Sequence, residues 1–390
     1  MTDEFFERGV VEIIDKKSLQ SKLKSGKKLR VKYGVDPTRP DIHLGHTVQL
    51  WKLKALQDEG HTIIFLIGDY TTKIGDPSGR KIARPVLSDR EIKENTKTYL
   101  AQVGKILNVK KTEVRFNSEW FSKMKFGDIL QLSSKFTVAQ IIERDDFEIR
   151  LKAGHDVYLH ETLYPLMQAY DSVILKADVE FGGNDQKFNL LAGRDLQKKM
   201  NQAPQDIVIT KLLVGTDGKV KMSKSADNYI GITEPANSMF GKIMSIPDNL
   251  IIEYFELVTD VPEKQISEYR KDLEAGSNPR DIKLILAEKI TATFHGEKKA
   301  KEARDEFINV FSKGELPTDI PEVKIAHGNY ELPLLLINLQ AVSSKSEARR
   351  VIEQGGLRID GAKITDFNCK VSVAKGMLIH VGKKKIYKVK

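Results

Sequence analysis

The chain has 390 residues and a net charge of +9, with 40% hydrophobic and 30% charged residues. That balance suits a folded protein of two or three domains and excludes disorder over most of the length. No run approaches the roughly eighteen apolar residues of a membrane span, Met1-Thr2-Asp3-Glu4 does not begin a signal peptide, and the single Cys369 has no partner for an internal disulfide or thiolate cluster, so a cytoplasmic location is expected.

Residues 1–30 read as a helical lead-in, and 29–35 alternates like a strand. After a loop carrying Pro37 and Pro40, apolar residues at helical spacing (Val48, Leu50, Trp51, Leu53, Leu56) predict a helix over 46–59 that Gly60 ends. The apolar run 62–67 predicts a strand covered on both faces, and strand–helix–strand order predicts an open α/β sheet. Beyond the turn Gly75-Asp76-Pro77-Ser78-Gly79, Ser88 and Glu91 fit a capping box for a helix reaching about Ile106. Residues 112–116 read as a strand, and 120–170 as mainly helical with charged breaks around 143–150. A short strand over 176–181 precedes Gly182-Gly183; a helix over 185–200, a strand over 207–210 and a lysine-rich loop over 215–225 follow.

After Pro235 the periodicity is helical throughout, with Pro247, Pro262 and Pro279 at helix starts. Residues 313–330, with Gly314, Pro317, Pro321 and Gly328, read as a linker. Residues 331–390 carry 12 Lys and Arg against 5 Asp and Glu, which is most of the excess positive charge. A compact basic module suggests a polyanionic partner, usually nucleic acid; a solubilising tail is the plainer alternative.

Two motifs carry chemistry. His43 and His46 stand three apart where the first strand hands over to the first helix, beside free amides that favour phosphate, and Gly45 permits close approach of a nucleotide. Surface or metal-binding histidines are the competing reading, but no cysteine or suitably spaced acid completes a zinc set, and no metal site is expected. Lys221-Met222-Ser223-Lys224-Ser225 places two ammonium groups three apart in a loop, fit to hold a polyphosphate, although a charged surface loop is the commoner meaning of such a pair.

Together and in this order, the two motifs resemble the signatures of the class I aminoacyl-tRNA synthetases. With Gly34-Val35-Asp36-Pro37-Thr38, the turn at 75–79, the stretch from Tyr164 to Asp171 and Gly182-Gly183-Asn184-Asp185-Gln186, the whole chain is similar to their bacterial tyrosyl branch. The resemblance implies a Rossmann-like catalytic domain with an open parallel sheet over 1–235, an all-helical anticodon-binding domain over 236–325 and a small α+β RNA-binding domain over 331–390. It implies a homodimer that uses ATP, accompanied by Mg2+, to turn L-tyrosine into an adenylate and then esterify tRNA(Tyr), with neither DNA nor membrane as partner.

The resemblance also assigns residues. Thr38, His43, His46, Lys221 and Lys224 would be catalytic, and Asp36, Gly45, Gly183, Asp185, Met222 and Ser223 would join them around ATP. Asp76, Tyr164, Gln168 and Gln186 would receive tyrosine, with Asp171 accepting the phenol proton and Asn117 nearby. Tyr164, Gln168 and Asp171 can share one helix face. In the basic tail, Arg349, Arg350, Arg358, Lys383, Lys384 and Lys385 would meet RNA phosphates. Two positions depart from the common pattern: Lys32 stands where many members have tyrosine, and Glu180 where many have glutamine. A tryptophanyl enzyme, a catalytically idle RNA-binding scaffold and another nucleotidyltransferase are the alternatives; Asp171 and the intact motifs weigh against them.

Overall fold

The computed structural model describes residues 3–78, 87–312, 320, 322–382 and 385–390. Gly79, residues 313–319 and Pro321 of the expected linker, and Lys383 and Lys384 lie outside the described residues. The chain divides into two compact units, Met1–Phe307 and Ile308–Lys390.

The first unit is built on six strands: β1 (Val10–Ile14), β2 (Arg30–Val35), β3 (Thr62–Ile67), β4 (Glu113–Phe116), β5 (Val179–Gly183) and β6 (Asp206–Thr210). Their order is β1-β6-β5-β2-β3-β4, parallel except for β1, which runs antiparallel to β6. β3 and β6 are rich in Ile, and β3, β5 and β6 are buried nearly throughout, as a helix-covered parallel sheet requires. Three helices position the site: α1 (Leu44–Asp58), α2 (Leu159–Leu175) and α3 (Lys187–Lys199).

Four expectations need correction. The lead-in is not all helix, because Val10-Val11-Glu12-Ile13-Ile14 is a β-branched run that adds an edge strand. The capping box of Ser88 and Glu91 is present, but its helix, Asp89–Thr96, stops short and Tyr99–Val103 is separate. There Thr98, Tyr99 and Gln102 donate instead to the carbonyls of Pro40 and Arg39. The strand expected over 176–181 is shifted: β5 starts at Val179 and runs on through Gly182 and Gly183, which pair with Ile209 and Thr210. Residues 145–152 form a helix instead of a charged break, with Phe147 and Arg150 turned inward and Arg150 paired with the buried Glu161 at 2.7 Å.

Beyond β6 come the helices Ala236–Met244, Ile251–Val258, Glu263–Glu274, Pro279–His295 and Glu297–Ser312. Pro262 caps one of these and Pro279 begins another, while Pro247 precedes a short 3-10 turn. The second unit has its own core, in which Leu332, Leu335, Leu336, Ala348, Ile352, Leu357 and Ile379 pack together. Its sheet includes Glu322–Val323, and Gly328–Glu331 pairs with Lys370–Val373, so residues read as linker are part of its strands. Leu357–Ile359 and Ala362–Ile364 form a hairpin closed by Asp360 and Gly361, both at positive φ as a type I′ turn demands.

Candidate active site

Strand order creates the site. β2 lies between β3 and β5, and the chain leaves the two sides of β2 in opposite directions; α/β sheets take ligands beyond the strand ends at such a point. A cleft of about 1140 Å³ opens there, lined by the turn after β2, the start of α1, the end of β5, the inner face of α2 and the lysine loop.

On one side, His43 caps α1. Its Nδ1 accepts from the Gly45 N–H at 3.2 Å, and the His46 Nδ1 accepts from the His43 N–H at 3.3 Å. With both Nδ1 atoms accepting, each neutral ring carries its proton on Nε2. Burial, the neighbouring imidazole and the Lys224 charge hold His43 far below the ordinary histidine range. Burial and Lys224 push His46 down to about 4. Both rings are therefore uncharged donors at neutral pH. A Cβ on Gly45 would sit 3.0 Å from the His43 ring, and one on Gly183 would come within 2.6 Å of Leu212 and 2.9 Å of an Asp185 carboxylate oxygen.

The lysine loop is fastened to this turn. The Leu44 N–H donates to the Ile230 carbonyl at 2.9 Å and the Ile232 N–H to that of Ile42 at 3.1 Å, with His43 bridged to Gly231. Lys221 pairs with Asp185 at 2.6 Å, and Lys224 bonds the Asp41 carbonyl at 2.8 Å and its carboxylate at 3.2 Å. Thr38, Met222 and Ser223 also line the cleft. The two signatures, far apart in sequence, thus share one wall.

The other side is a hydrogen-bonded pocket around α2. Asp171 is buried, with Trp120 Nε1 donating to it at 2.9 Å and Asn117 Nδ2 at 3.4 Å. Burial pushes its carboxyl up to about 7, against the opposing pull of Lys32 and these two donors. Asn117 lies behind Asp171 rather than on the cleft wall, and is itself held by Tyr70 and Thr71. Asp36, expected with the nucleotide group, accepts from Tyr164 at 3.0 Å and Thr71 at 2.9 Å, which ties it to the α2 side of the cleft. Gln186 donates to Asp76 at 2.7 Å, and Gln168 donates to Glu180 at 3.3 Å. Sequence reading missed Asp41, Thr71, Trp120 and Arg144, because their partners here (Lys224, Asp36, Asp171 and Ser78) lie far from them in sequence.

In the second unit, Arg349 and Arg350 lie on Lys345–Glu353 and Arg358 on the strand that follows, all exposed. Arg349 is paired with Glu353 at 2.7 Å, and Lys385 donates to the Ala341 carbonyl at 2.7 Å. Lys383 and Lys384, expected beside Lys385, fall outside the described residues.

Residues 24–312 match the model of class I tRNA synthetases (W and Y), and residues 313–389 that of the C-terminal domain of SYY-like tyrosine–tRNA ligases. The tyrosine–tRNA ligase of Thermotoga maritima is 51% identical, over 98% of this chain and 95% of its own. That of Carboxydothermus hydrogenoformans is 50% identical, over 99% and 97%. Among solved structures, the tyrosyl-tRNA synthetase of Archaeoglobus fulgidus complexed with L-tyrosine superposes with a TM-score of 0.64 at 23% identity, covering 77% of this chain and 98% of that one, a likeness of fold.

Proposed function

The chain belongs to the tyrosine–tRNA ligases, within the class I tRNA synthetases for tryptophan and tyrosine, and from that premise we propose how its own residues use ATP to join L-tyrosine to tRNA(Tyr). The tyrosine carboxylate attacks the α-phosphate of ATP and pyrophosphate leaves, so no side-chain nucleophile is needed; alignment and charge stabilisation carry the step. Neutral His43 and His46 donate Nε2–H to phosphate oxygens, with Thr38 beside them. Lys221 and Lys224 exchange Asp185 and Asp41 for the departing pyrophosphate, and Asp185, released, accepts the ribose hydroxyls over Gly183. The terminal ribose hydroxyl of tRNA then attacks the adenylate carbonyl and AMP leaves.

Asp76, Tyr164 and Gln168 receive the substrate ammonium, with Gln186 bracing Asp76. Asp171 accepts the phenol proton, and Asn117 and Trp120 hold it in place. This buried acceptor is the observation that carries the tyrosine reading, because a phenylalanine ring has no hydroxyl to donate to it and would strip its cleft side of any hydrogen-bond donor. Among the described residues no three His, Cys, Asp or Glu side chains gather into a metal-holding group; Mg2+ would arrive on the triphosphate, held by its oxygens and by water.

The reading extends to assembly, RNA and location. Phe126 (73% exposed), Val138 (76%) and Leu159 (81%) leave an apolar surface that supports a homodimer. Exposed Arg349, Arg350 and Arg358 support phosphate contacts by the C-terminal module. Among the described residues no helix is long and apolar enough to cross a membrane; we place the reaction in the cytoplasm, where its ATP and tRNA are. The test is exchange of labelled pyrophosphate into ATP with tyrosine, tryptophan or phenylalanine. Exchange with tyrosine alone is expected, and none with tyrosine overturns the assignment.

A further inference from the structure

Arg144 carries a charge that the reaction as described does not use. It is the residue just before the helix Asp145–Lys152 and is 2% exposed. Its guanidinium carbon lies over the rings of Phe147 and Phe188, 5.3 and 5.7 Å from their centres. Burying a guanidinium is costly unless its donors are matched, and here they are. Nη1 donates to Asn189 Oδ1 at 2.9 Å, and Nη2 to Ser78 Oγ at 2.6 Å and Asp146 Oδ2 at 3.1 Å.

These partners close a ring around the amino-acid pocket. Asn189 turns its own amide to Gln186 Oε1 at 3.0 Å, and Gln186 donates to Asp76 Oδ2 at 2.7 Å. The other Asp76 oxygen accepts from the Ser78 N–H at 2.9 Å and lies 3.9 Å from Arg144 Nη2. One planar fork thus fixes Asn189 and Ser78 at once. Through Asn189 it sets which end of the Gln186 amide faces Asp76, and through Ser78 it sets the turn that presents Asp76. Asp76, Gln186 and Ser78 line the cleft, whereas Arg144 and Asn189 stand behind it.

We propose that Arg144 is a positioning residue that orients Asp76 and Gln186 to receive the substrate ammonium. The proposal rests on the tyrosine reading of the pocket. It concerns only the ammonium end, since Asp171 and its partners are anchored separately on Trp120 and Asn117.

The test is equilibrium binding without ATP of three ligands: tyrosine, tyramine (ammonium but no carboxylate) and 3-(4-hydroxyphenyl)propionate (no ammonium). Arg144→Gln should weaken tyrosine and tyramine by roughly tenfold or more, leave the propionate within about twofold and leave the KM for ATP unchanged. Arg144→Lys keeps the charge but cannot span Asn189 and Ser78 together, so it should show the same pattern, and it carries the test if the glutamine variant does not fold. Equal weakening of all three ligands would make Arg144 a structural residue and overturn the proposal, as would no weakening. Failure of the wild-type protein to bind tyrosine would instead overturn the tyrosine reading.

Discussion

The ammonium of Lys32 lies 2.8 Å from the Glu180 carboxylate, and both side chains are buried, at 0% and 1% exposure. The two departures from the common family pattern are therefore one feature. They face each other in register on adjacent parallel strands. Lys32 also bonds Ser172 Oγ at 2.8 Å and the Gln168 carbonyl at 3.0 Å, while Glu180 takes the Gln168 amide and Ser172. The pair grips Gln168 by main chain and side chain, and turns its Oε1 away from Glu180.

Breaking that pair should cost more than removing it. Lys32→Met leaves a buried carboxylate without its cation and should lose about 3–5 kcal/mol of stability. Lys32→Met with Glu180→Gln, whose amide oxygen keeps the acceptor for Ser172 and Gln205 and whose NH2 can face the Gln168 Oε1 once that amide turns over, should recover part of it. Urea unfolding of the single and double variants measures this; losses that simply add would refute the coupling.

Asp171 sets a pH dependence. Its folded carboxyl, raised to about 7 from an ordinary 3.8, binds a proton more tightly than the unfolded chain does. This group therefore costs stability as pH climbs from about 4 to 7. Its acceptor form is lost as pH falls through 7, so tyrosine affinity should decline by up to about tenfold per pH unit below that point, and Asp171→Asn should flatten the profile. Equilibrium dialysis between pH 5.5 and 8.5 checks it.

The same carboxylate governs selectivity. Asp171→Ala should reduce discrimination against phenylalanine by about a hundredfold or more while the KM for ATP stays within about threefold. Pyrophosphate exchange with both amino acids measures the ratio, and unchanged discrimination would remove the phenol role.

His43 and His46 should remain neutral across the working range, because burial and Lys224 depress both. Proton NMR should show no titration of either imidazole between pH 5.5 and 8; a midpoint near 6.5 would contradict neutral donors at the phosphate site.

The C-terminal unit should be dispensable for the first step only. Its sheet begins with Glu322–Val323, so removal must start at residue 320 rather than 331 to avoid leaving orphaned strands. The shortened chain should make tyrosyl-adenylate at the wild-type rate and charge tRNA poorly; unchanged charging would show that the module does not bind the substrate RNA.

The periodic core strands, the helix after the histidine turn and the capping box were legible in the sequence because each depends on residues within a few positions of one another. The histidine and lysine motifs were legible as local patterns for the same reason, and what the fold adds is that they share one wall of the cleft. The edge strand Val10–Ile14 was overlooked because its pairing partner, β6, lies some two hundred residues away. Arg144 and Arg150 carry charges in a stretch that reads as charged breaks, and Lys32 and Glu180 stood out only as departures from a pattern; only the tertiary fold supplies the buried partners that make such charges tolerable inside. The partners of Asp36 were hidden for a related reason: a short carboxylate at a strand end goes to whichever donors the fold brings near, and here they are Tyr164 and Thr71.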